Sequence, residues 1–146
     1  MDALNILKSN RIKATSQRIA IINCIIENSN HLTAEDILKK ISSNKSIPIS
    51  MPTVYNNLNL FVKKGIISEL VLSTDNKKHY DYIRKLHYHV ICKKCNRITD
   101  VTYSSFESDL SHILKGAINK GFLVKNETIS LYGICESCQR HLNNNI

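Results

Sequence analysis

Two cysteine pairs, Cys92-Lys93-Lys94-Cys95 and Cys135-Glu136-Ser137-Cys138, constrain the rear of this chain more than any other feature. In each pair two intervening residues let both sulfurs turn toward one ion, and four thiolates in tetrahedral array are the preferred structural surroundings of zinc. One isolated pair would equally fit a thioredoxin-type dithiol, and so a cysteine-based oxidoreductase. Two pairs favour a four-cysteine zinc site. The segment between them must then fold so that its ends meet, and zinc binding contributes directly to that folding.

The intervening segment has structure of its own. Ser104 and Glu107 form a capping-box pattern ahead of the apolar series Phe106, Leu110, Ile113, Leu114 and Ala117, and Gly121 suits the end of that helix. Strand-like stretches flank it at 97–102 and 122–134, the second interrupted near Asn126. A small α/β domain is expected.

A second constellation, His87-Tyr88-His89, precedes Cys92. On a strand, residues i and i+2 share a face, so both imidazoles can meet one ion. Asp81 and Asp100 lie nearby in sequence, and His31 is a further candidate. Nitrogen and carboxylate oxygen without sulfur suit Fe(II), Mn(II) or Zn(II) without selecting among them. His79 is a candidate for a supporting role, whereas His112 and His141 have no companions in sequence.

The front of the chain reads as a short leading helix, three stronger helices and a hairpin. A short helix is expected over Ala3 to Ser9. Thr15 can cap a second one to about Glu27, with Ile19, Ile22 and Ile26 at helical spacing and Ile21 and Ile25 widening the stripe. Cys24 lies within it and reads as a small core residue. After Asn28-Ser29-Asn30 comes Thr33-Ala34-Glu35-Asp36, where Thr33 caps a helix with Ile37, Leu38 and Ile41 inward and Ser42-Ser43-Asn44 at its end. A further helix runs from near Ser50 to Gly65, with Val54, Leu58 and Phe61 or Val62 as its core face. Its remaining face offers Thr53, Tyr55, Asn56, Asn57 and Asn59, hydrogen-bonding groups without negative charge that suit phosphates and base edges in a major groove. Segments 66–72 and 79–83 form a hairpin across Ser73-Thr74-Asp75-Asn76-Lys77-Lys78, whose two lysines can reach a phosphate. The order is that of a winged helix-turn-helix.

Charge agrees with this division. The chain carries 20 Lys+Arg against 12 Asp+Glu, a net +8, with the front half the more cationic. The longest apolar run, Ile19 to Ile26, is broken at Asn23 and falls short of a membrane span. The residues after Met1 look unlike a leader, and a cytoplasmic setting is expected, where disulfides rarely persist. No nucleophile–base set and no glycine-rich phosphate loop marks the chain, so it does not read as an enzyme. Asn143-Asn144-Asn145 reads as a fraying tail.

Four stretches taken in order, residues 31–37 (HLTAEDI), 53–58 (TVYNNL), 87–95 (HYHVICKKC) and 132–138 (YGICESC), resemble the ferric uptake regulator family. The resemblance spans roughly residues 11 to 140. Within the family the chain looks most like the peroxide-responsive repressors: Asn56-Asn57 stands where iron-uptake regulators typically have Arg-Val, and Asp100 stands where they usually carry glutamate. Pro52 occupies a position where alanine is more usual, which the first turn of a helix tolerates.

The resemblance implies an α+β protein, with a winged-helix DNA-binding domain over residues 1–82 and a metal-binding dimerisation domain over 83–146. It implies a homodimer on double-stranded operator DNA and structural Zn(II) at Cys92, Cys95, Cys135 and Cys138. It also implies regulatory Fe(II) or Mn(II) at His31, Asp81, His87, His89 and Asp100, with His31 and His87 sensitive to oxidation by peroxide. An iron-, manganese- or zinc-status regulator without that oxidation is the alternative.

Overall fold

A computed structural model describes residues 2–28, 31–43, 47–72, 75–83, 87–125 and 127–143. The turn at Ser29-Asn30, Asn44, the tip residues Ser73-Thr74, the interruption at Asn126 and the tail residues Asn144-Asn145 lie outside them. The chain divides into two compact units, Met1–Ile83 and Arg84–Ile146.

The first unit comprises α1 (Ala3–Ser9), α2 (Ser16–Glu27), β1 (Leu32–Thr33), α3 (Ala34–Ser43), α4 (Met51–Lys63), β2 (Ile67–Val71) and β3 (Lys78–Tyr82). Local chemistry sets the helix ends. Thr15 and Ser50 cap α2 and α4 by accepting from Arg18 N and Thr53 N. At α3, Thr33 Oγ1 accepts from Asp36 N at 3.2 Å, while Thr33 N and its hydroxyl donate to Asp36 Oδ2 at 3.1 and 2.6 Å. This is a capping box closed by aspartate. Gly65, at φ +67°, ends α4 by donating to the Val62 carbonyl, and Ile66 N donates to that of Phe61.

The core joins Leu7 of α1, Ile21, Ile22 and Ile25 of α2, Ile37 and Ile41 of α3, Val54, Leu58 and Phe61 of α4, and Ile67 and Tyr80 of the hairpin. The deep stripe of α2 is rotated from the expected one, since Ile19 and Ile26 are only partly buried. Helix α2 contacts α1, α3, α4 and β3, and neighbours on several sides widen the face it buries. Cys24 is buried there, and loss of water pushes its thiol up.

The wing gains a strand beyond the hairpin. Leu32 and Thr33 pair antiparallel with Tyr80 and His79, giving the order β1-β3-β2. Lys78 is the first residue of β3, opposite Val71, and its Nζ lies 2.9 Å from Glu69 Oε2 on the diagonal position. Lys77 is exposed.

The second unit contains β4 (Tyr88–Cys92), β5 (Ile98–Val101), α5 (Phe106–Asn119), β6 (Ser130–Gly133) and α6 (Glu136–Asn143). Strand β4 is central, antiparallel to β5 and parallel to β6. Three local expectations are corrected here. The Ser104/Glu107 capping box does not form: Ser105 is the N-cap, and its hydroxyl and that of Tyr103 donate to Asp109 Oδ2. The expected strand over 122–134 is reduced to Ser130–Gly133, because Phe122 N donates to the Ala117 carbonyl in closing α5 at Gly121. Of the apolar series on α5, Phe106 and Leu110 are buried whereas Ile113 is exposed.

No helix among the described residues is long and apolar enough to cross a membrane.

Candidate functional site

The four cysteines converge because β4 and β6 run side by side. Cys92 ends β4 opposite Gly133, and Lys93 N donates to the Gly133 carbonyl at 2.8 Å, so the chain leaving β6 brings Cys135 alongside. The turn after Cys92 reverses at Asn96, φ +59°, whose N donates back to the Cys92 carbonyl and which lies next to Cys95. Cys138 lies in the first turn of α6.

All four sulfurs lie within 4.8 Å of one another, with Cys95 Sγ and Cys135 Sγ 3.7 Å apart. Tetrahedral zinc with bonds of ~2.3 Å needs sulfurs ~3.8 Å apart. A disulfide would need ~2.05 Å. The set therefore fits a shared soft divalent ion. Backbone N–H groups, first that of Cys135 at 3.3 Å and then that of Cys95, hold the Cys92 thiol down at about 6. The Ser137 hydroxyl and then the Cys138 N–H lower that of Cys135, while Cys138, facing Cys135, is pushed up to about 12.

The second donor set within the unit is built by one strand pair. His87 precedes β4, His89 lies on it, and His89 pairs with Asp100 of β5. His87 Nε2 and His89 Nε2 are 3.1 Å apart, and they lie 3.8 and 3.7 Å from Asp100 Oδ1. Ligands at ~2.0–2.2 Å from one ion stand ~3.0–3.6 Å apart, so the triangle needs little adjustment to close on one. His89 is buried and Asp100 remains accessible to solvent.

His31 and Asp81 belong to the first unit. His31 is 2% exposed and takes φ +49°, a left-handed conformation that places it immediately before β1. Its carbonyl accepts from His79 Nδ1 at 2.8 Å, and His79 Nε2 is 2.9 Å from Asp75 Oδ2. Asp81 is on β3 opposite Ser68 and is partly buried.

On α4, Tyr55, Asn56 and Asn59 are exposed, Thr53 is partly so, and the Tyr55 hydroxyl donates to Glu35 Oε1 at 3.5 Å. Asn57 corrects the expectation of an outward face. It is buried, its Oδ1 accepts from Arg18 Nε at 2.9 Å, and its Nδ2 donates to the Thr53 carbonyl at 2.8 Å. It points toward α2 because the core face formed by Val54, Leu58 and Phe61 is wider than a single stripe. Lys78 is exposed, with its ammonium paired to Glu69 across the hairpin. Arg18 was not singled out from sequence. Nothing local links residues 18 and 57, whereas the cap by Thr15 was a signal for the helix that carries Arg18.

The family model described as the Ferric uptake regulator family matches residues 9–132, which include the first cysteine pair and stop short of the second. The chain is 33% identical over 145 residues to the "Peroxide operon regulator" of Bacillus subtilis (strain 168), covering 97% of this chain and 94% of that protein. It is similar to the solved structure described as "Structural basis for peroxide sensing and gene regulation by PerR from Streptococcus pyogenes", at 33% identity, 95% of each chain and a TM-score of 0.51. The structure of the Vibrio cholerae ferric uptake regulator aligns at 25% identity and a TM-score of 0.69, covering 92% of this chain and all of that one.

Proposed function

Since the chain belongs to the ferric uptake regulator family, we propose that it is a metal-dependent, DNA-binding transcriptional repressor that senses peroxide through oxidation of its own histidine ligands. The observation that carries this reading is the triangle of His87, His89 and Asp100, a sulfur-free donor set separate from the four cysteines. One site is suited to a permanent structural ion and the other to an exchangeable one.

Cys92, Cys95, Cys135 and Cys138 hold structural Zn(II), one per subunit. His87, His89 and Asp100 hold the regulatory ion together with His31 and Asp81, which the first unit contributes. Fe(II) held there would activate peroxide so that the net two-electron oxidation falls on a ligand ring, one peroxide oxygen entering the imidazole and the other leaving as water; Mn(II) in its place would leave the histidines intact. His31 and His87 are the rings that take up oxygen, and an oxidised ring is a poorer ligand. With residues 1–82 binding DNA and residues 83–146 dimerising, a ligand set drawn from both regions makes DNA affinity depend on the metal. The protein is spent by the oxidation and does not turn over, so it is a sensor rather than an enzyme.

Operator DNA is the partner for Thr53, Tyr55, Asn56 and Asn59 on α4 and for Lys77 on the wing. A second copy of the chain is the partner for the rear unit, which exposes Ile113, Ile118, Phe122, Leu123, Leu131 and Tyr132. Free thiols in zinc-binding array fit a cytoplasmic setting.

The test is anaerobic loading with Fe(II), exposure to peroxide, and peptide mass analysis alongside DNA binding. Added oxygen on His31 or His87 together with loss of binding is expected. Loss of binding with every histidine at its original mass would refute the sensing step and leave a metal-status regulator.

A further inference from the structure

Asn57 lies in the helix assigned to DNA, yet its side chain is buried against Arg18. A guanidinium has no acceptor and a carbonyl no donor, so the partners of the amide admit only one orientation: Oδ1 toward Arg18 Nε and Nδ2 toward the Thr53 carbonyl. Arg18 Nη1 also donates to the Lys13 carbonyl at 2.8 Å. Two of its five N–H donors are thus taken by neutral groups, and no carboxylate pairs with it among the described residues. Its charge is fixed in place by these two bonds. Around it, residues 3–26 contain Lys8, Arg11, Lys13 and Arg18 and no Asp or Glu. An arginine held by neutral acceptors with donors to spare is suited to grip a phosphate oxygen.

We propose that Asn57 acts on DNA as a positioning residue, through Arg18, which it holds ready for a backbone phosphate of the duplex that α4 faces. The inference rests on the DNA-binding reading above. It separates two adjacent asparagines by role: Asn56 is exposed for contact with the duplex, whereas Asn57 aims a cation borne on α2. Contacts to phosphates add salt-dependent affinity without sequence preference.

The test uses metal-loaded full-length protein with two duplexes of equal length, one carrying the sequence enriched by selection with the native protein and one unrelated. Affinity is measured across a salt series for Arg18→Ala, Asn57→Leu and the double variant. Arg18→Ala should flatten the salt slope by ~0.9 for each Arg18 engaged, and weaken both duplexes by the same factor. Asn57→Leu should reproduce much of both effects, and add nothing in the Arg18→Ala background. Asn57→Ser, whose short side chain cannot span to Arg18, replaces Asn57→Leu if the latter fails to fold.

A slope unchanged by Asn57→Leu, with only the unfolding midpoint lowered, would overturn the proposal in favour of a purely structural tie. Additive losses confined to the selected duplex would overturn it in favour of base reading. Native protein that binds neither duplex in any metal state would remove the DNA-binding reading itself, and this inference with it.

Discussion

The ring of His79 ties the backbone of His31 to the wing: Nδ1 donates to the His31 carbonyl at 2.8 Å while Nε2 lies 2.9 Å from Asp75 Oδ2. His31 is a non-glycine residue at φ +49°, a conformation that costs ~1–2 kcal/mol and persists only where its surroundings hold it. The hydrogen bond at the His31 carbonyl and the β1–β3 pairing that follows it both restrain the backbone there.

On the proposed reading that His31 is a ligand, His79→Ala should lower affinity for the regulatory ion by about 10- to 100-fold, the usual effect of removing a group that orients a ligand. Zinc content should remain unchanged. Anaerobic Mn(II) titration with parallel elemental analysis measures both, and undiminished Mn(II) affinity would show that His31 is held without His79.

Removal of a zinc ligand should act on one unit. Cys138→Ser is expected to abolish stoichiometric zinc and to unfold the region from β4 to α6, since structural zinc contributes ~10–16 kcal/mol in small domains. The first unit has its own core and should retain a cooperative transition. Native-state hydrogen exchange distinguishes the units; protection lost uniformly across both would contradict this.

The helix cap at α3 makes an acid-sensitive contribution. The Thr33 hydroxyl bond, supported by the Thr33 backbone N–H, lowers the Asp36 carboxyl below its usual value against the opposing effect of desolvation. A group depressed in the folded state stabilises above its unfolded pKa of ~3.9, and that stability is lost as pH falls through the lower folded value. Asp36→Asn should flatten the stability profile at and below about pH 4. Thr33→Ala should cost ~1 kcal/mol near neutrality. Urea unfolding at several pH values tests both, and parallel profiles for native and Asp36→Asn would exclude the cap as the source.

Leu123 is 84% exposed and Phe122 is 68% exposed, beyond the end of α5. If the rear unit pairs with a second copy as proposed, Leu123→Glu is expected to shift the protein toward monomer in sedimentation analysis while leaving zinc bound. A dimer of undiminished stability would place the interface elsewhere.

Sequence alone determined the elements whose causes are local. The caps at Thr15, Thr33 and Ser50, the glycine ends of α4 and α5, and the core residues Val54, Leu58 and Phe61 of α4 are each written within a few residues. So were the donor types: sulfur in one set, nitrogen and oxygen in the other. Tertiary structure alone decided which side chains a broad face buries and where distant segments meet. Asn57 reads as an outward polar residue until α2 packs beside α4 and presents Arg18, 39 residues away in sequence. Nothing local marks Leu32-Thr33 as a strand, because its hydrogen bonds come from β3. The four sulfurs meet because β4 and β6 pair in parallel, which depends on the whole intervening segment returning its end to the right register. Short-range hydrogen bonds and periodicity are properties of neighbouring residues, whereas burial and register are properties of surfaces that exist only once the chain has folded.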